Sequence, residues 1–416
     1  MSIKSKKNIF YAQSGGVTPV INATAKGIYD EFKKNRKFFG RLLIGKNGIA
    51  GALNEEIIDI EKEKKKEIEK LIHTPGGAFG SCRIKLKDPK KDQHEFNRIL
   101  EVFKKYNIGY FLYNGGGDSQ DTTLKLSKFF KKNRIDIKCI GIPKTIDNDL
   151  PGTYACPGFG TVAKYIATST LEASLDVSSM SNSSTKVFIL EVMGRHAGWL
   201  AGASGVIKGI NNNAPQIILF PEKIFDEKTF LKKTKKSVED DGFCVIVVSE
   251  GIKNKKGDFI SSSSSKDSFG HAHLGGVAPI LANLVNNSLG YKVHWAVADY
   301  LQRAARHIGA EADVQQAYDV GRQSVQFLTK GISDVMVTVL KRKRDGAWMT
   351  GKIPLGKVAN KEKKLPSHFI SKDGFSITTI CRKYILSLID GESIPPFVNG
   401  IPNYSKLELR EIKKLK

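Results

Sequence analysis

The amino-acid sequence predicts an α/β fold built on mostly parallel sheets. Short apolar runs recur along the chain, each followed by a Gly- or Asp-rich turn and then a helical pattern. Buried strands joined by crossover helices produce that alternation. The polar turns fall where the strands end, and in parallel sheets ligands gather beyond the carboxyl ends of the strands. With 416 residues, 40% of them hydrophobic, the chain has material for about two to three domains with sizeable cores.

The elements follow in chain order. "NIFYA" reads as a strand and runs into "QSGG", where Gly15 and Gly16 precede a helical stretch. Glycine lets backbone approach phosphate oxygens, and the helix N-terminus adds a favourable dipole. "PGGAFGSCR" (75–83) is a flexible turn ending in Arg83. "IGYFLY" leads to "NGGGDSQDT" (114–122), in which Asp118 is either a helix cap or a magnesium contact and Ser119 suits an N-cap. "IKCIGI" leads to "PKTIDND", which supplies Lys144, Thr145, Asp147 and Asp149. In an extended loop residues two apart face one side, so both carboxylates converge. One can accept a proton from an attacking hydroxyl while the other orients or neutralises the site. Two carboxylates beside a phosphate call for compensating cations, and Mg²⁺, Lys144 and a nearby Arg are the candidates. A plain Asp-rich turn is the alternative reading.

"KVFILEV" leads to "MGRHAGW", with Arg195 at a strand-to-helix turn suited to bidentate phosphate contact or to a surface ion pair. "QIILF" leads to "PEK", and "FCVIVV" to "SEG", where Glu250 can accept from sugar hydroxyls or cap a helix. Residues 252–276, with "KNKKGDFISSSSSKDS", read as an exposed loop, and His271 and His273 as a loop feature without metal. From about 352 a mixed polar extension carries one helix around "TTICRKYILSLI".

Composition narrows the classes. The net charge of +24 welcomes anions, but the lysines are dispersed, as in "EKEKKKEIEK", and read as solvated helix faces. A nucleic-acid or other non-catalytic anion binder is therefore a secondary reading. No run of about 18 apolar residues and no signal-peptide core stand out, so the expectation is a cytoplasmic protein with no membrane partner. The five cysteines form no C-x-x-C pair and read as reduced thiols.

Taken together, "SGG", "GGGDS", "PKTIDND", "MGRHAGW" and "VVSEG", in this order and spacing, resemble the phosphofructokinase family from about residue 8 to 340. The pyrophosphate-dependent members are closest in pattern. The resemblance implies two similar three-layer α/β lobes with the active site in the cleft between them. Residues 1–158 plus about 302–352 would form the larger, donor-phosphate lobe, 159–301 the smaller, sugar-phosphate lobe, and 353–416 an extension packing on both. It implies reversible, Mg²⁺-dependent phosphoryl transfer from pyrophosphate to the 1-hydroxyl of fructose 6-phosphate. A homodimer or homotetramer is implied, in which a neighbouring subunit helps hold the sugar phosphate. Asp147 would be the general base, flanked by Thr145 and Asp149. Gly15, Arg83, Ser119 and Lys144 would meet the donor; Lys186, Met193, Gly194, Arg195, Glu250, Tyr300 and Arg303 would meet the sugar phosphate.

ATP-using relatives have glycine where Lys144 and Asp118 stand, so these residues would take the room of a nucleotide's α-phosphate, and Lys144 would add positive charge. This chain departs from the family elsewhere. Gly117 stands where ATP-using members carry a metal-side carboxylate, leaving Mg²⁺ to Asp118 or to Asp147 with Asp149. His294 replaces an arginine and Tyr300 a histidine, which keeps another acceptor such as sedoheptulose 7-phosphate open; ATP as donor is the other alternative, and Lys144 and Asp118 argue against it.

Overall fold

The computed structural model describes residues 6–266, 272–342 and 344–414. The chain divides into two compact units: the first runs to Gly158 and takes in Glu311–Glu362 and the stretch from Gly391, and the second is Phe159–Ala310 with Lys363–Asp390. The first unit opens with β1 (Asn8–Gln13), α1 (Ile21–Lys34), β2 (Leu42–Gly45), α2 (Ala50–Asn54), β3 (Ile57–Asp59) and α3 (Lys65–Glu69). It continues with α4 (Gln93–Lys105), β4 (Ile108–Gly115), α5 (Gly117–Lys132) and β5 (Lys138–Pro143). The second unit holds α6 (Phe159–Met180), β6 (Val187–Val192), α7 (Trp199–Ala203), β7 (Ile217–Leu219), α8 (Glu227–Asp241) and β8 (Cys244–Ser249). It adds β9 (Ser262–Lys266), β10 (Ala272–Leu274), α9 (Val277–Leu289), β11 (Val293–Val297), α10 (Asp299–Ala304) and β12 (Gly309–Ala310). The first unit resumes with α11 (Glu311–Thr329), β13 (Val335–Lys341) and β14 (Trp348–Pro354), and α12 (Thr379–Leu386) belongs to the second.

The sheet of the first unit has the order β14-β13-β5-β4-β1-β2-β3. Its five inner strands run parallel, and β14 and β3 close the edges antiparallel. The period of two along β1 divides the core. Ile9 and Tyr11 pack with Ile28 and Phe32 of α1 and Val320 of α11, whereas Phe10 and Ala12 pack with Phe96 and Phe103 of α4 and Phe130 of α5. Helices therefore cover both faces, as a parallel sheet requires. Helices α1 and α11 touch backbone to backbone: a Cβ on Gly27 would collide with the Tyr318 carbonyl, and one on Gly321 with the Thr24 carbonyl. The second unit has a four-stranded parallel sheet in the order β11-β6-β8-β7. Val187 and Ile246 face Phe230 of α8 and Leu281 of α9, while Val245 packs with Val177 of α6.

Three expectations shift. The stretch 252–276 is not wholly loop, since β9 and β10 pair antiparallel within it, and His271 lies outside the described residues. The return to the first unit begins at Glu311, where the sequence suggests about 302. The segment from 353 onward is divided between the units, and its start falls inside β14, which pairs along its whole length with β13.

Candidate active site

In the first unit, β1, β4 and β5 end in register: Gln13 pairs with Asn114, Asn114 with Ile142 and Gly115 with Pro143. The turns that follow are thereby delivered side by side at the carboxyl edge of the sheet. A fourth segment joins them. Cys82 bridges to Ser14, Gly15 N–H donates to the Cys82 carbonyl over 2.9 Å, and Ser81 Oγ donates to the Gly15 carbonyl over 2.8 Å. Arg83, exposed, is the next residue. Ser119 is not the expected cap. The N-cap of α5 is Gly116, and Ser119 lies inside the helix with its Oγ 2.9 Å from Ser14 Oγ. That packing requires Gly115, because a Cβ there would collide with the Ser119 side chain.

Lys144 is 3% exposed. Its ammonium donates to the Gly16 carbonyl over 2.5 Å and lies 3.5 Å from where a Cβ on Gly15 would sit. The cation is thus lodged in the Gly15–Gly16 turn. Beyond it the loop is not extended: Thr145 Oγ1 accepts from Asp147 N–H over 3.1 Å, and Asn148 adopts φ 53°. Asn148 is fully buried and its Oδ1 accepts from Cys156 N–H over 3.0 Å. This anchor, rather than strand pleating, leaves the flanking Asp147 and Asp149 partly exposed. Asp118, in the first turn of α5, accepts from Lys85, with Nζ 2.5 Å from Oδ1. Sequence reasoning missed Lys85 and Asn148.

The carboxylates suit Mg²⁺. Among the described residues no group of three His, Cys, Asp or Glu could hold a metal by itself. Magnesium in phosphate sites needs only one or two carboxylates, completing its shell with water and phosphate oxygens. Asp118, or Asp147 with Asp149, all partly exposed, supplies that number.

In the second unit, Val192 pairs with Ser249 at the ends of β6 and β8, so "MGRHAGW" and Glu250 emerge together. Glu250 Oε1 accepts from Gly194 N–H over 3.3 Å, and Met193 N–H donates to Gln302 Oε1 over 3.4 Å. Gly194 has φ 138°, and a Cβ on Gly251 would strike the Arg195 carbonyl, so the two turns interlock through glycine. Burial pushes the Glu250 carboxyl up, against the lowering effects of the Gly194 N–H and Arg195. Tyr300 is 63% exposed and stacks beneath Arg303, whose guanidinium lies 4.0 Å from the ring centre. Lys186 is not part of this cluster within one chain. It precedes β6, its N–H donating to the Lys292 carbonyl over 3.1 Å, and so stands a strand length, about 20 Å, from Met193. His294 lies exposed on the edge strand β11 beside that same end.

Gly- and Asp-rich turns at the carboxyl ends of two mostly parallel sheets suit phosphoryl transfer, the chemistry of a phosphotransferase. A profile of the phosphofructokinase family matches residues 8–328, and the chain belongs to that family. It is 51% identical over 402 residues to the pyrophosphate–fructose 6-phosphate 1-phosphotransferase of Methylococcus capsulatus, covering 96% of each chain. It is 50% identical over 412 residues to the enzyme of the same name from Halomonas elongata, covering 99% of this chain and 98% of that one. The crystal structure of a pyrophosphate-dependent phosphofructokinase from Marinobacter aquaeolei superimposes with a TM-score of 0.90 at 51% identity, over 99% of this chain and 98% of that one.

Proposed function

We propose that this chain transfers a phosphoryl group reversibly from pyrophosphate to the 1-hydroxyl of D-fructose 6-phosphate, giving fructose 1,6-bisphosphate and phosphate. The observation that carries the donor assignment is Lys144, whose buried ammonium occupies the Gly15–Gly16 turn. A cation at that point both fills space a larger donor needs and compensates the charge of a compact diphosphate. Close relatives bearing the pyrophosphate-dependent name support the same reading.

In this mechanism the turns of the first unit hold the donor, with Gly15 and Ser119 lining it and Arg83 and Lys144 meeting developing charge. Asp147 takes the proton of the attacking hydroxyl while Asp149 and Thr145 orient it. The turn Met193–Arg195, Glu250 and Arg303 of the second unit hold the sugar phosphate. Asp118 would hold Mg²⁺, which when bound withdraws charge from phosphate oxygens. The protein acts as a cytoplasmic homo-oligomer. Its edge strand β11 and helix α10 expose Trp295, Val297, Tyr300 and Leu301, and a partner covering this face would receive Lys186 and His294 from the neighbouring chain. The test is fructose 1,6-bisphosphate formation with Mg²⁺ and either pyrophosphate or ATP as sole donor. Product with pyrophosphate alone is expected; product with ATP alone overturns the donor assignment. Turnover only with another sugar phosphate overturns the acceptor assignment.

A further inference from the structure

The run "EKEKKKEIEK" contains two buried carboxylates, Glu63 and Glu67, 8% and 7% exposed. Both are taken up by backbone of the C-terminal segment. Glu63 Oε2 and Oε1 accept from Glu408 and Leu409 N–H over 2.8 and 2.7 Å, and Glu67 Oε2 accepts from Lys406 N–H over 2.7 Å. Ser405 Oγ donates to the Glu67 carbonyl over 2.8 Å, and Ile412 N–H donates to the Ile57 carbonyl at the sheet edge over 2.8 Å. Carboxylates accepting backbone N–H groups form strong, charge-assisted bonds.

The segment also reaches the root of the Arg83 loop. Ser405 N–H donates to Thr74 Oγ1 over 2.9 Å, and that hydroxyl donates in turn to the Lys70 carbonyl over 2.9 Å. Thr74 is the residue before "PGGAFGSCR". From there a single amide takes over: Asn22 Nδ2 donates to the Thr74 and Gly76 carbonyls, each over 2.8 Å, and Asn22 Oδ1 accepts from Ala78 N–H over 3.1 Å. Gln13 Nε2, at the end of β1, donates to the same Oδ1 over 3.0 Å. Asn22 is fully buried. A continuous set of hydrogen bonds thus runs from Ser405 through Thr74 and Asn22 to the loop that ends in Arg83.

We infer that residues 403–412 are a strap that positions the donor-binding loop 75–83, with Thr74 and Asn22 as positioning residues that do not touch the donor. The inference rests on the donor site proposed above. A glycine-rich loop has many conformations to lose on ordering, and a loop held in place in advance binds its ligand without that loss. A misplacement of about 1 Å at a phosphate-binding Arg can cost up to about 10²-fold.

The experiment uses the full chain carrying Thr74→Val, which keeps the side chain's shape and removes the hydroxyl between Ser405 and Lys70. Expected are a rise of about tenfold in KM for pyrophosphate, an unchanged KM for fructose 6-phosphate, and faster hydrogen exchange at the Ala78 and Gly80 amides. A chain ending at residue 402 should show the same split, reversed by adding a peptide of residues 403–416. An unchanged KM for pyrophosphate in Thr74→Val overturns the inference, even if the melting temperature falls. If the parent enzyme uses no pyrophosphate, the donor reading fails by itself. Loop exchange then decides the strap: unaltered exchange at Ala78 and Gly80 overturns it.

Discussion

Lys144→Met isolates the ammonium from its volume. Lys144 is 3% exposed, so truncation to a small residue would confound lost charge with a cavity; methionine retains most of the stem. What disappears is one donor, the Nζ bonded to the Gly16 carbonyl over 2.5 Å. Its loss as a structural bond costs about 1 kcal/mol, which in a protein of this length lowers the melting temperature by only a few degrees. Its loss as a charge is larger. An ammonium about 4 Å from charge developing on the transferred group contributes about 4 kcal/mol at an effective dielectric of about 20. Removing one preorganised donor typically lowers kcat by about 10²–10³. The two figures agree, and Lys144→Met should lower kcat/KM for pyrophosphate by about 10²–10³. The assay is coupled detection of fructose 1,6-bisphosphate, with thermal unfolding on the same preparations. A variant within about threefold of the parent, which is under about 1 kcal/mol of barrier, would refute the reasoning. Lys144→Gly, which also opens space, should admit measurable turnover with ATP.

Other outcomes follow from the same geometry. Asp147→Ala should lose about 10²–10⁴ in kcat while fructose 6-phosphate binding, read by calorimetry, stays largely intact. Gly115→Ala forces Ser119 away from Ser14 and should cost about 1–3 kcal/mol in denaturant unfolding. Glu55 is opposed by burial but held by hydrogen bonds from Lys105, Tyr106 and Arg98, which bring its carboxyl down to about 2. Its contribution to stability is therefore present above the ordinary carboxylate range and lost as pH falls toward about 2, so Glu55→Gln should flatten the acid limb of the melting-temperature profile. Trp295→Arg should shift the protein to a smaller species in light scattering; a parent enzyme that is monomeric and fully active would remove the proposed oligomer.

The strands and their turns were legible because both rest on local signals: an apolar run of strand length and glycines or aspartates directly after it. The residues that hold those turns were not. Asn148 looks like one more polar residue in an Asp-rich turn, yet its left-handed φ and its bond from Cys156 N–H shape the loop, and that partner is eight residues away. Asn22 lies in a helix whose sequence gives no hint that its amide holds backbone more than fifty residues on. Glu63 and Glu67 sit among lysines and read as solvated, because burial was decided by a segment over 330 residues later. Lys186, taken from the family resemblance as a sugar-phosphate contact, stands a strand length from Met193 in its own chain, so such a contact would have to come from a neighbouring subunit.

The second unit raises an electrostatic difficulty that its own hydrogen bonds answer. A site for a sugar phosphate ought to be positive, yet Glu191, Glu222 and Glu250 all lie at the carboxyl ends of its strands or in the turns that follow. Burial pushes all three carboxyls up. Each is met by backbone N–H groups. Glu191 accepts from Gly276 and Ala278 over 3.0 and 2.8 Å, Glu222 from Gly198 and Leu365, both over 2.9 Å, and Glu250 from Gly194. A carboxylate whose lone pairs are occupied by amides presents less charge to a ligand and more rigidity to its loop. Gly194 and Gly198 bracket Arg195, so two of the three acids fix the segment that carries Arg195, the proposed phosphate contact. Glu222 and Glu250 therefore act as struts for the turn that carries Arg195, with their negative charge directed into backbone N–H groups.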